Sequence, residues 1–464
     1  MLDALTIHPA AATATLRQTV QYWRDRGQVL DFHSGLSARH EVAAVTAEVQ
    51  DRGNEICVFH QVNGHAMPVV TNIYGSRHRL GAMLGVGGVA GDTMCRAINT
   101  HIARGQALGT AATVSAIGPD PRREVALGEL PLLTYHAEDA GAYLTTGILL
   151  VHDPDTGVRN LSFHRGMRVS DTELRISIGP RHDLGRIQRL AEERGETLEA
   201  AFLVGVTPAL FLAACTSIPP DADEVALAAA IAGAPFPVRP AATIDLQIPD
   251  GADIVIEGRI LPRERRAEAP FGEWMGYYVP EKQSHVFQVK RTAARPQALL
   301  HGLVCGSGDD LRPLEATTAA RIYKTLTAQF DCVLDVVCFP SMLVTAVKIR
   351  QAYEGQSRQV LMAAITAHFL YSKVCIVVDE DVDIYRLDDV LWAYATRARP
   401  DERTQVLGQL PGFFRDPHKD HWGRLGLDGT MPWGRFEEFR RKQIPGRDKV
   451  DLQALLAVPA AMAS

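Results

Sequence analysis

Apolar positions alternate between helical and extended spacing along the first hundred residues. Residues 16–30 (LRQTVQYWRDRGQVL) and 40–53 (HEVAAVTAEVQDRG) carry apolar side chains three and four positions apart, which predicts two helices. Residues 56–62 (ICVFHQV) follow as a predicted strand. The pattern therefore predicts a mixed α/β region over residues 1–110.

The pattern changes over residues 111–305, where short apolar runs are separated by turn residues. Residues 142–169 (AYLTTGILLVHDPDTGVRNLSFHRGMRV) contain two such runs around a Pro-Asp-Thr-Gly turn at 154–157. One helical segment, residues 186–195 (RIQRLAEERG), interrupts the strands. We predict a split β-barrel with helical insertions, and an open β-sandwich fits the pattern of apolar positions nearly as well.

Residues 306–446 return to an alternation of strand and helix. Two apolar strands, residues 341–350 (SMLVTAVKIR) and 373–381 (KVCIVVDED), flank the helical segment 356–371 (QSRQVLMAAITAHFLY). A strand–helix–strand unit predicts parallel strands, because the crossover helix returns the chain to the same end of the sheet. The apolar tail over 447–464 predicts a terminal helix that packs on a neighbouring subunit, giving a homodimer or a higher even-numbered oligomer.

Composition narrows the class of protein. The 464 residues carry 48 Lys and Arg against 54 Asp and Glu, a net charge of -6, which argues against a dedicated binder of nucleic acid or anionic membranes. Seven cysteines without a Cys-x-x-Cys pair are typical of reduced thiols, and the N-terminus lacks a secretory pattern, so we expect a cytoplasmic protein. Prolines and a glycine interrupt the longest uncharged stretch, between Glu199 and Asp221, so we expect no membrane span.

Several common catalytic motifs are missing from the sequence. It contains no Gly-x-Ser-x-Gly elbow, no His-Glu-x-x-His and no Walker-type phosphate loop, which disfavours serine hydrolases, zincins and P-loop NTPases. Residues 85–90 (GVGGVA) fit the dinucleotide fingerprint, but they follow a helical segment rather than a strand. We interpret them as a loop.

Two carboxylates flank an apolar Pro-Phe-Gly in residues 268–273 (EAPFGE). The segment is too turn-like for a helix, and surface loops rarely place Pro and Phe between acids unless the loop packs against the protein. Burial in such a place disfavours the charged form of a carboxyl group and can keep it protonated for proton delivery. Glu268 and Glu273 are therefore candidates for paired acid–base work.

The sequence NLSFHR contains a second group of polar residues. On a strand, Asn160, Ser162 and His164 would point to one face and Arg165 to the other. An amide, a hydroxyl and an imidazole on one face suit a metal, a phosphate or another ligand, and a solvent-facing polar side explains the spacing equally well. His182, in a Gly-Pro-Arg-His sequence, is a further candidate ligand or a turn histidine.

Taken together, these segments resemble the UbiD family of reversible decarboxylases, which use prenylated FMN. The block Glu-x-Pro-Phe-Gly-Glu-x-x-Gly-Tyr and the upstream Asn-x-Ser-x-x-Arg are specific to that family. The resemblance extends from residues 67–86 (MPVVTNIYGSRHRLGAMLGV) to 373–400 (KVCIVVDEDVDIYRLDDVLWAYATRARP). It implies an N-terminal α/β region, a flavin-reductase-like split barrel and a C-terminal α/β region with a terminal helix.

The resemblance also implies roles for individual residues. The family's catalytic Arg-Glu-Glu set falls on Arg165, Glu268 and Glu273, and we assign the proton-donor role to Glu273. The family holds the cofactor phosphate through a divalent metal, usually manganese, with K⁺ or Na⁺ nearby, and the metal ligands that match are Asn160 and His182. The residues expected to bind the flavin are Asn160, Ser162, Phe163, His164, Arg165, Arg181, His182, Cys215, Thr216 and Arg424.

Two positions depart from the family pattern. A strand position that often holds a Glu metal ligand falls on Ala242, with Gln247 as the nearest replacement oxygen donor. A phosphate-contacting Lys near the C-terminus falls on Arg424, whose guanidinium has a wider fork than a lysine ammonium. We therefore predict a manganese site that depends strongly on the flavin phosphate.

The resemblance therefore implies a reversible non-oxidative decarboxylase of an α,β-unsaturated or (hetero)aromatic carboxylic acid, supplied with its cofactor by a flavin prenyltransferase. Arg165 suits an acid substrate, because a guanidinium pairs with a carboxylate through two hydrogen bonds. A catalytically silent flavin-binding scaffold or carrier is the alternative, motivated by Ala242 and Arg424. The sequence leaves open whether His164 contacts the substrate or the flavin.

Overall fold

The computed structural model describes residues 14–87, 91–180, 182–219, 221–279, 283–368, 370–410, 412–413, 415–418, 423–451 and 455. The helices are α1 (Leu16–Arg24), α2 (Glu41–Arg52), α3 (Arg77–Met83), α4 (Thr93–Leu108), α5 (Asp183–Arg194), α6 (Pro208–Ala214), α7 (Glu224–Ala232), α8 (Gly308–Thr327), α9 (Gln356–Thr366), α10 (Leu387–Arg397) and α11 (Pro400–Arg403). Short 3₁₀ turns lie at Gly109–Ala112, Leu127–Glu129, Ser341–Leu343 and Arg447–Lys449.

The strands are short except in the middle of the chain. They are β1 (Val29–Phe32), β2 (Ile56–Phe59), β3 (Val69–Thr71), β4 (Thr113–Ser115), β5 (Arg123–Glu124), β6 (Tyr143–Leu144), β7 (Ile148–His152), β8 (Arg159–Phe163), β9 (Gly166–Ser170), β10 (Glu173–Ile176), β11 (Leu198–Val206), β12 (Phe236–Pro240), β13 (Gln247–Pro249), β14 (Ala252–Arg266), β15 (Phe271–Gly272), β16 (Tyr278–Val279), β17 (Ser284–Ala294), β18 (Leu300–His301), β19 (Val333–Cys338), β20 (Val344–Ile349), β21 (Val374–Asp379), β22 (Thr404–Leu407) and β23 (Arg424–Asp428).

The N-terminal region is a small mixed sheet with helices, as predicted. Helix α1 begins with a capping box, in which Thr15 and Gln18 each accept a backbone N–H of the other. Helix α2 ends where Gly53 caps it. Among the described residues the sheet has the order β1-β2-β3-β18, with β1 and β2 parallel and β2 and β3 antiparallel.

The central region is built around one long antiparallel sheet, with a small three-stranded sheet β13-β12-β4 and the hairpin β15-β16 beside it. Within the described part of the chain nine strands join it, in the order β6-β9-β10-β17-β14-β11-β7-β8 with β5 added beside β17. Strands β7 and β8 form a hairpin around the predicted turn, with Leu150 opposite Leu161. One continuous sheet fits the predicted split barrel better than the two stacked sheets of a sandwich.

The middle of this sheet is buried on both faces. On β11, Leu203 packs into one apolar core with helices α6 and α7, whereas the neighbouring Phe202 packs into a second core on the opposite face. Because successive side chains of a strand point to opposite faces, every residue of β11 after Glu199 becomes buried. The sheet is therefore a rigid support for side chains at the ends of its strands.

The C-terminal region contains the predicted strand–helix–strand unit. Strands β20 and β21 pair in parallel, with Ala346 opposite Ile376, and helix α9 connects them. Strand β23 extends the sheet in parallel beside β21, whereas β19 and β22 are antiparallel at its edges. The mixed α/β fold class, with a β-rich centre between two α/β regions, is thus confirmed.

Two predictions concern residues that lie partly or wholly outside the described part of the chain. The predicted terminal helix, with its role as an oligomer contact, lies almost entirely outside the described residues, as do positions 88–90 of the glycine-rich loop. The part of that loop that is described follows helix α3, as predicted. In the described part of the chain, no helix has the length and apolar character that crossing a membrane would need.

Candidate active site

A cavity of about 380 Å³ lies between the central sheet and the C-terminal region. Its walls come from β8, the start of α5, the end of α6, helix α8, and the segments around residues 273 and 415. The walls are mainly apolar, and two clusters of polar side chains face the interior. A concave apolar site with a few convergent polar groups is the usual form of a cofactor or substrate site.

The first cluster contains the predicted Arg-Glu-Glu set. Arg165 donates two hydrogen bonds to Glu268, from Nε to Oε1 at 2.8 Å and from Nη2 to Oε2 at 3.1 Å, and its Nη1 donates to Glu273. Ser284 donates a further hydrogen bond to Glu268 at 2.8 Å. All three predicted residues therefore meet, and a bidentate pair of this kind fixes both distance and orientation.

The backbone between the two acids is not helical, as the sequence predicted, and leads into a short hairpin whose turn begins at Glu273. Strand β15 pairs with β16, and the turn between them contains Gly276 with φ +84°, a conformation that favours glycine. Phe271 is buried, with its ring 4.5 Å from that of Tyr143 and the Arg165 guanidinium 4.6 Å above it. The apolar Pro-Phe-Gly thus anchors the hairpin and places Glu268 and Glu273 on either side of Arg165.

The second cluster starts on strand β8. Ser162 Oγ lies 3.2 Å from Asn160 Oδ1 and 3.0 Å from His164 Nε2, so these three side chains share one face, as predicted. The other ring nitrogen of His164 bonds the carbonyl of Ser177 at 3.0 Å. Burial lowers the pKa of His164 to about 3, which keeps its imidazole neutral.

Arg165 does not face away from this cluster, and that part of the prediction is wrong. Strand β8 ends at Phe163, so the alternation of faces stops before Arg165 is reached. Arg165 lines the same cavity as Asn160 and Ser162. The two clusters are therefore neighbours around one space.

Glu224 belongs to the second cluster and was missed by the sequence interpretation. It is the first residue of α7, where its Oε1 accepts from Asn160 Nδ2 at 3.3 Å and its Oε2 accepts from the Leu161 N–H at 3.0 Å. Burial raises the pKa of Glu224 to about 8. The sequence held a signal, because Glu224 begins the otherwise apolar run EVALAAAIA. Every residue of this helix is buried in the structure, and a lone buried acid needs a partner.

His182 lies on the other side of the second cluster. It directly precedes α5, lines the cavity, and has its ring centroid 6.3 Å from that of His164. Burial lowers the pKa of His182, so the ring is in the neutral form that metals bind. The predicted neighbour Arg181 lies outside the described residues.

Ala242 and Gln247, the positions considered for a third metal ligand, are elsewhere. The Ala242 N–H donates to Glu257, which also pairs with Arg291, and Gln247 is exposed on β13. Neither residue lines the cavity. The carboxylate that contacts Asn160 in the cavity is Glu224, and it comes from a helix.

Arg424, which was expected to contact the cofactor phosphate, is not among the described residues that line the cavity. It is buried at the start of β23, where its Nη1 donates to the carbonyls of Ile365 and His368 at the end of helix α9. A guanidinium in that position satisfies carbonyl groups that the helix leaves without partners. Arg321 of α8, which lines the cavity and bonds Ser217 at 3.0 Å, is a cation that can reach a bound anion instead.

The remaining predicted flavin-binding residues do line the cavity. Phe163 faces it from β8, and Cys215 and Thr216 face it from the end of α6. Thr216 donates its hydroxyl to the Leu212 carbonyl at 2.6 Å, and burial raises the pKa of the Cys215 thiol. Both side chains are therefore uncharged wall groups.

Two further polar residues in the cavity were not predicted. Arg415 donates to Glu273 from Nη1 and to the Ser177 hydroxyl from Nη2. Asp310, near the start of α8, accepts the Gly306 N–H at 2.8 Å, and burial raises its pKa to about 6. No local pattern marked Arg415, because only the folded chain brings residue 415 to residue 273.

The chain is similar to known proteins over most of its length. Three models of the 3-octaprenyl-4-hydroxybenzoate carboxy-lyase (UbiD) match it: the N-terminal domain at residues 20–98, the Rift-related domain at 110–308 and the C-terminal domain at 313–429. An anhydromevalonate phosphate decarboxylase of Methanothermobacter thermautotrophicus is 31% identical over 416 residues, which cover 88% of this chain and 95% of that one.

Solved structures show the same similarity. The UbiD-class enzyme HmfF of Pelotomaculum thermopropionicum, in complex with FMN, superposes with a TM-score of 0.88 at 31% identity, covering 95% of this chain and 100% of that one. An evolved dimeric form of HmfF, in complex with prFMN, gives a TM-score of 0.85 at 30% identity, with the same coverage of 95% and 100%.

Proposed function

The chain belongs to the UbiD family of carboxy-lyases, and from that premise we propose that it is a reversible non-oxidative decarboxylase of an α,β-unsaturated or (hetero)aromatic carboxylic acid that uses prenylated FMN. The observation that carries this proposal is the contact of Arg165 with both Glu268 and Glu273 beside the cavity. These groups supply what an acid substrate requires, a cationic partner for its carboxylate and a proton for the carbon that loses carbon dioxide.

The two acids have different surroundings, which supports different roles. Glu273 lines the cavity, whereas Glu268 lies behind Arg165 and is held by it and by Ser284. Glu273 is therefore the group that delivers the proton to the substrate carbon. Glu268 acts through Arg165, whose guanidinium it orients toward the substrate carboxylate.

The cavity fits a flavin in both size and chemistry. When bound, prenylated FMN supplies the electron-accepting centre that takes up the charge left by the departing carbon dioxide. The wall residues Phe163, Cys215 and Thr216 would contact its ring system, and Ser162 and His164 offer hydrogen bonds beside it. A contact of Arg181 with the flavin stays a prediction.

The second cluster fits a divalent metal that holds the cofactor phosphate. Asn160, His182 and Glu224 offer an amide oxygen, a neutral imidazole and a carboxylate, which suit Mn²⁺. In the described part of the chain no three His, Cys, Asp or Glu side chains converge, so the phosphate would complete the coordination. The buried Glu224 supports a cation here, because an ionised carboxylate needs a positive partner away from water. A K⁺ or Na⁺ ion nearby stays a prediction.

The cofactor and the free thiols support a proposal for the cofactor's supplier and for the protein's compartment. A flavin prenyltransferase would supply the prenylated FMN. All seven cysteines are free thiols, which is consistent with the predicted reducing cytoplasm. A homodimer or higher even-numbered oligomer stays a prediction for this chain, and one HmfF structure is of a dimeric form.

The experiment that tests the proposal is co-expression with a flavin prenyltransferase, followed by a screen of carboxylic acids for release of carbon dioxide. We expect the purified protein to carry the absorbance of the modified flavin and to decarboxylate at least one acid of a panel of cinnamic, hydroxybenzoic, heteroaromatic and short acrylic acids. Bound modified flavin with no carbon dioxide from any acid would contradict the proposal and favour the silent scaffold. The intact contacts of Arg165 with both acids argue against that alternative.

A further inference from the structure

Arg415 brings a second guanidinium to the proposed proton donor from a different part of the chain. Its Nη1 donates to Glu273 Oε1, the same oxygen that accepts from Arg165 Nη1. Its Nη2 donates to the Ser177 hydroxyl, at the end of β10. Glu273 is thus held between two cations, one from the central sheet and one from the C-terminal region.

The segment that carries Arg415 is anchored on both sides. Asp416 accepts from the Lys373 ammonium at 2.9 Å, and the ring of Phe413 lies 5.0 Å from that of Trp274, next to Glu273. The Arg415 side chain itself is largely buried, and burial followed by the nearby Arg165 lowers its pKa to about 9. Removing a guanidinium from water is costly, so its place in the cavity calls for an anion.

This arrangement conflicts with the task assigned to Glu273. A carboxyl group that accepts hydrogen bonds from two guanidinium groups is stabilised in its ionised form. A proton donor must carry a proton. Among the described residues, Arg165 and Glu268 interact with the Arg415 guanidinium, and His164 and His182, whose pKa values burial lowers, also lie near it.

We propose that the substrate carboxylate takes the place of Glu273 on Arg415, so that Arg415 and Arg165 together bind the substrate and Glu273 is released to carry the proton. The inference rests on the proposed function and adds to it: Arg415 is a second carboxylate-binding residue. It makes the site selective for acids over their neutral analogues, and it couples the arrival of the acid to the protonation of the donor.

The proton balance of the reaction is consistent with this exchange. The substrate enters as an anion, the carbon–carboxylate bond breaks, and carbon dioxide leaves as a neutral molecule. One proton is therefore consumed for each carbon dioxide released; Glu273 gives it to the carbon and regains it from water. In exchange of the product's hydrogen with solvent, Glu273 still moves the proton but no carboxylate needs to be bound.

The test compares these two reactions in Arg415→Gln and Arg415→Lys variants loaded with cofactor. The substrate is the acid with the highest turnover in the panel above, and the second reactant is its decarboxylated product in deuterium oxide. For Arg415→Gln we expect the KM of the acid to rise by about 10- to 100-fold, the range for losing a charge-assisted hydrogen bond. Incorporation of deuterium into the product should stay within about threefold of the unaltered enzyme, since no carboxylate is involved. Arg415→Lys should restore part of the lost affinity.

Parallel loss of decarboxylation and deuterium incorporation would overturn the inference, because Arg415 would then only position Glu273. An unchanged KM would overturn it as well. Arg397→Met is the matched control: it removes a buried guanidinium that donates to Asp379 and Asp381 in the C-terminal region, outside the cavity, and should leave the KM unchanged. It separates a loss of fold from a loss of substrate binding.

A binding titration decides the inference even if no acid of the panel is turned over and the proposed function fails. Sodium cinnamate and neutral cinnamamide are titrated into the flavin-loaded protein and followed by the flavin absorbance. We expect tighter binding of cinnamate, with a preference that Arg415→Gln reduces by at least about tenfold. No preference for cinnamate in the unaltered protein, or a preference that survives the substitution, would overturn the inference.

Discussion

The two polar clusters of the cavity are built on different kinds of backbone. In the cluster assigned to the metal and phosphate, Asn160 lies within β8, Glu224 is the first residue of α7, and His182 directly precedes α5. In the cluster assigned to the chemistry, Arg165 follows the end of β8 and Glu273 follows the two-residue strand β15. The groups that would hold the cofactor thus lie in or directly before regular elements, whereas Arg165 and Glu273 lie in the connections that follow strands.

The two polar clusters also differ in their charges. The second cluster, around Glu224, has a buried carboxyl whose pKa burial raises to about 8 and a neutral imidazole, so a cation would complete it. The first cluster balances two guanidinium groups, Arg165 and Arg415, against two carboxyl groups, Glu268 and Glu273. This contrast supports the proposal that the second cluster binds the cofactor and the first carries out the chemistry, and the predictions below test that division.

The largest expected effect is that of Glu273→Gln. The substitution keeps size and hydrogen bonding but removes the titratable proton, so turnover should fall by about 10²- to 10⁴-fold. Flavin content, measured by absorbance, should be unchanged. Release of carbon dioxide at near the unaltered rate, once matched for flavin content, would move the acid role to Glu268 or to water.

Glu224→Gln should have the opposite pattern. Loss of the carboxylate from the second cluster should weaken manganese binding by about 10- to 100-fold or more. Flavin loading should fall with it, and activity should fall only in proportion to flavin occupancy. His182→Ala should behave in the same way. Gln247→Ala is the control, because Gln247 is exposed on β13 and should leave metal and flavin content unchanged.

The pH dependence of metal binding sharpens the assignment of Glu224. Its raised pKa of about 8 means that the metal-free protein carries a proton there at neutral pH, which a metal must displace. His182 has a lowered pKa and adds no such proton above pH 7. Manganese affinity, measured by calorimetry, should therefore rise about tenfold per pH unit from roughly pH 6 to 8. A flat profile would show that Glu224 is not a ligand.

The same raised pKa has a consequence for stability. A carboxyl whose folded-state pKa exceeds its unfolded value binds its proton more tightly in the folded state. The free energy of unfolding of the metal-free protein should therefore decrease as the pH rises from about 4.5 to about 8. In Glu224→Gln this part of the decrease should be lost, which chemical denaturation at several pH values would measure.

The smallest expected effect on function is that of Arg424→Met. The side chain satisfies the last carbonyls of helix α9, so its loss should lower the free energy of unfolding by about 1–3 kcal/mol. Flavin loading and turnover per flavin should not change. A selective loss of flavin with unchanged stability would instead show that Arg424 contacts the cofactor phosphate.

The sequence was informative where a motif is contiguous or an element is regular. The block around Glu268 and Glu273 could be predicted because Pro and Phe between two acids require packing against the protein, which Phe271 provides. The face shared by Asn160, Ser162 and His164 followed from strand alternation. The strand–helix–strand unit of the C-terminal region followed from its apolar spacing.

Contacts between distant segments could not be predicted in this way. Glu224 meets Asn160 across 64 positions, and Arg415 meets Glu273 across 142. The face of Arg165 was predicted wrongly because side chains alternate between faces only within a strand, and β8 ends two residues before Arg165. The contacts of Arg424 could not be predicted either, because residue type alone does not show whether a guanidinium faces a cavity or the end of a helix.

The most direct test of the separation between the clusters is solvent-deuterium incorporation into the product per bound flavin, compared between Glu273→Gln and Glu224→Gln. The account predicts that Glu273→Gln, at full flavin occupancy, loses most incorporation, by about 10²- to 10⁴-fold. Glu224→Gln, at reduced occupancy, should keep near-unaltered incorporation per flavin. Equal losses per flavin in both variants would contradict the account, because binding and proton transfer would then not be divided between the two clusters.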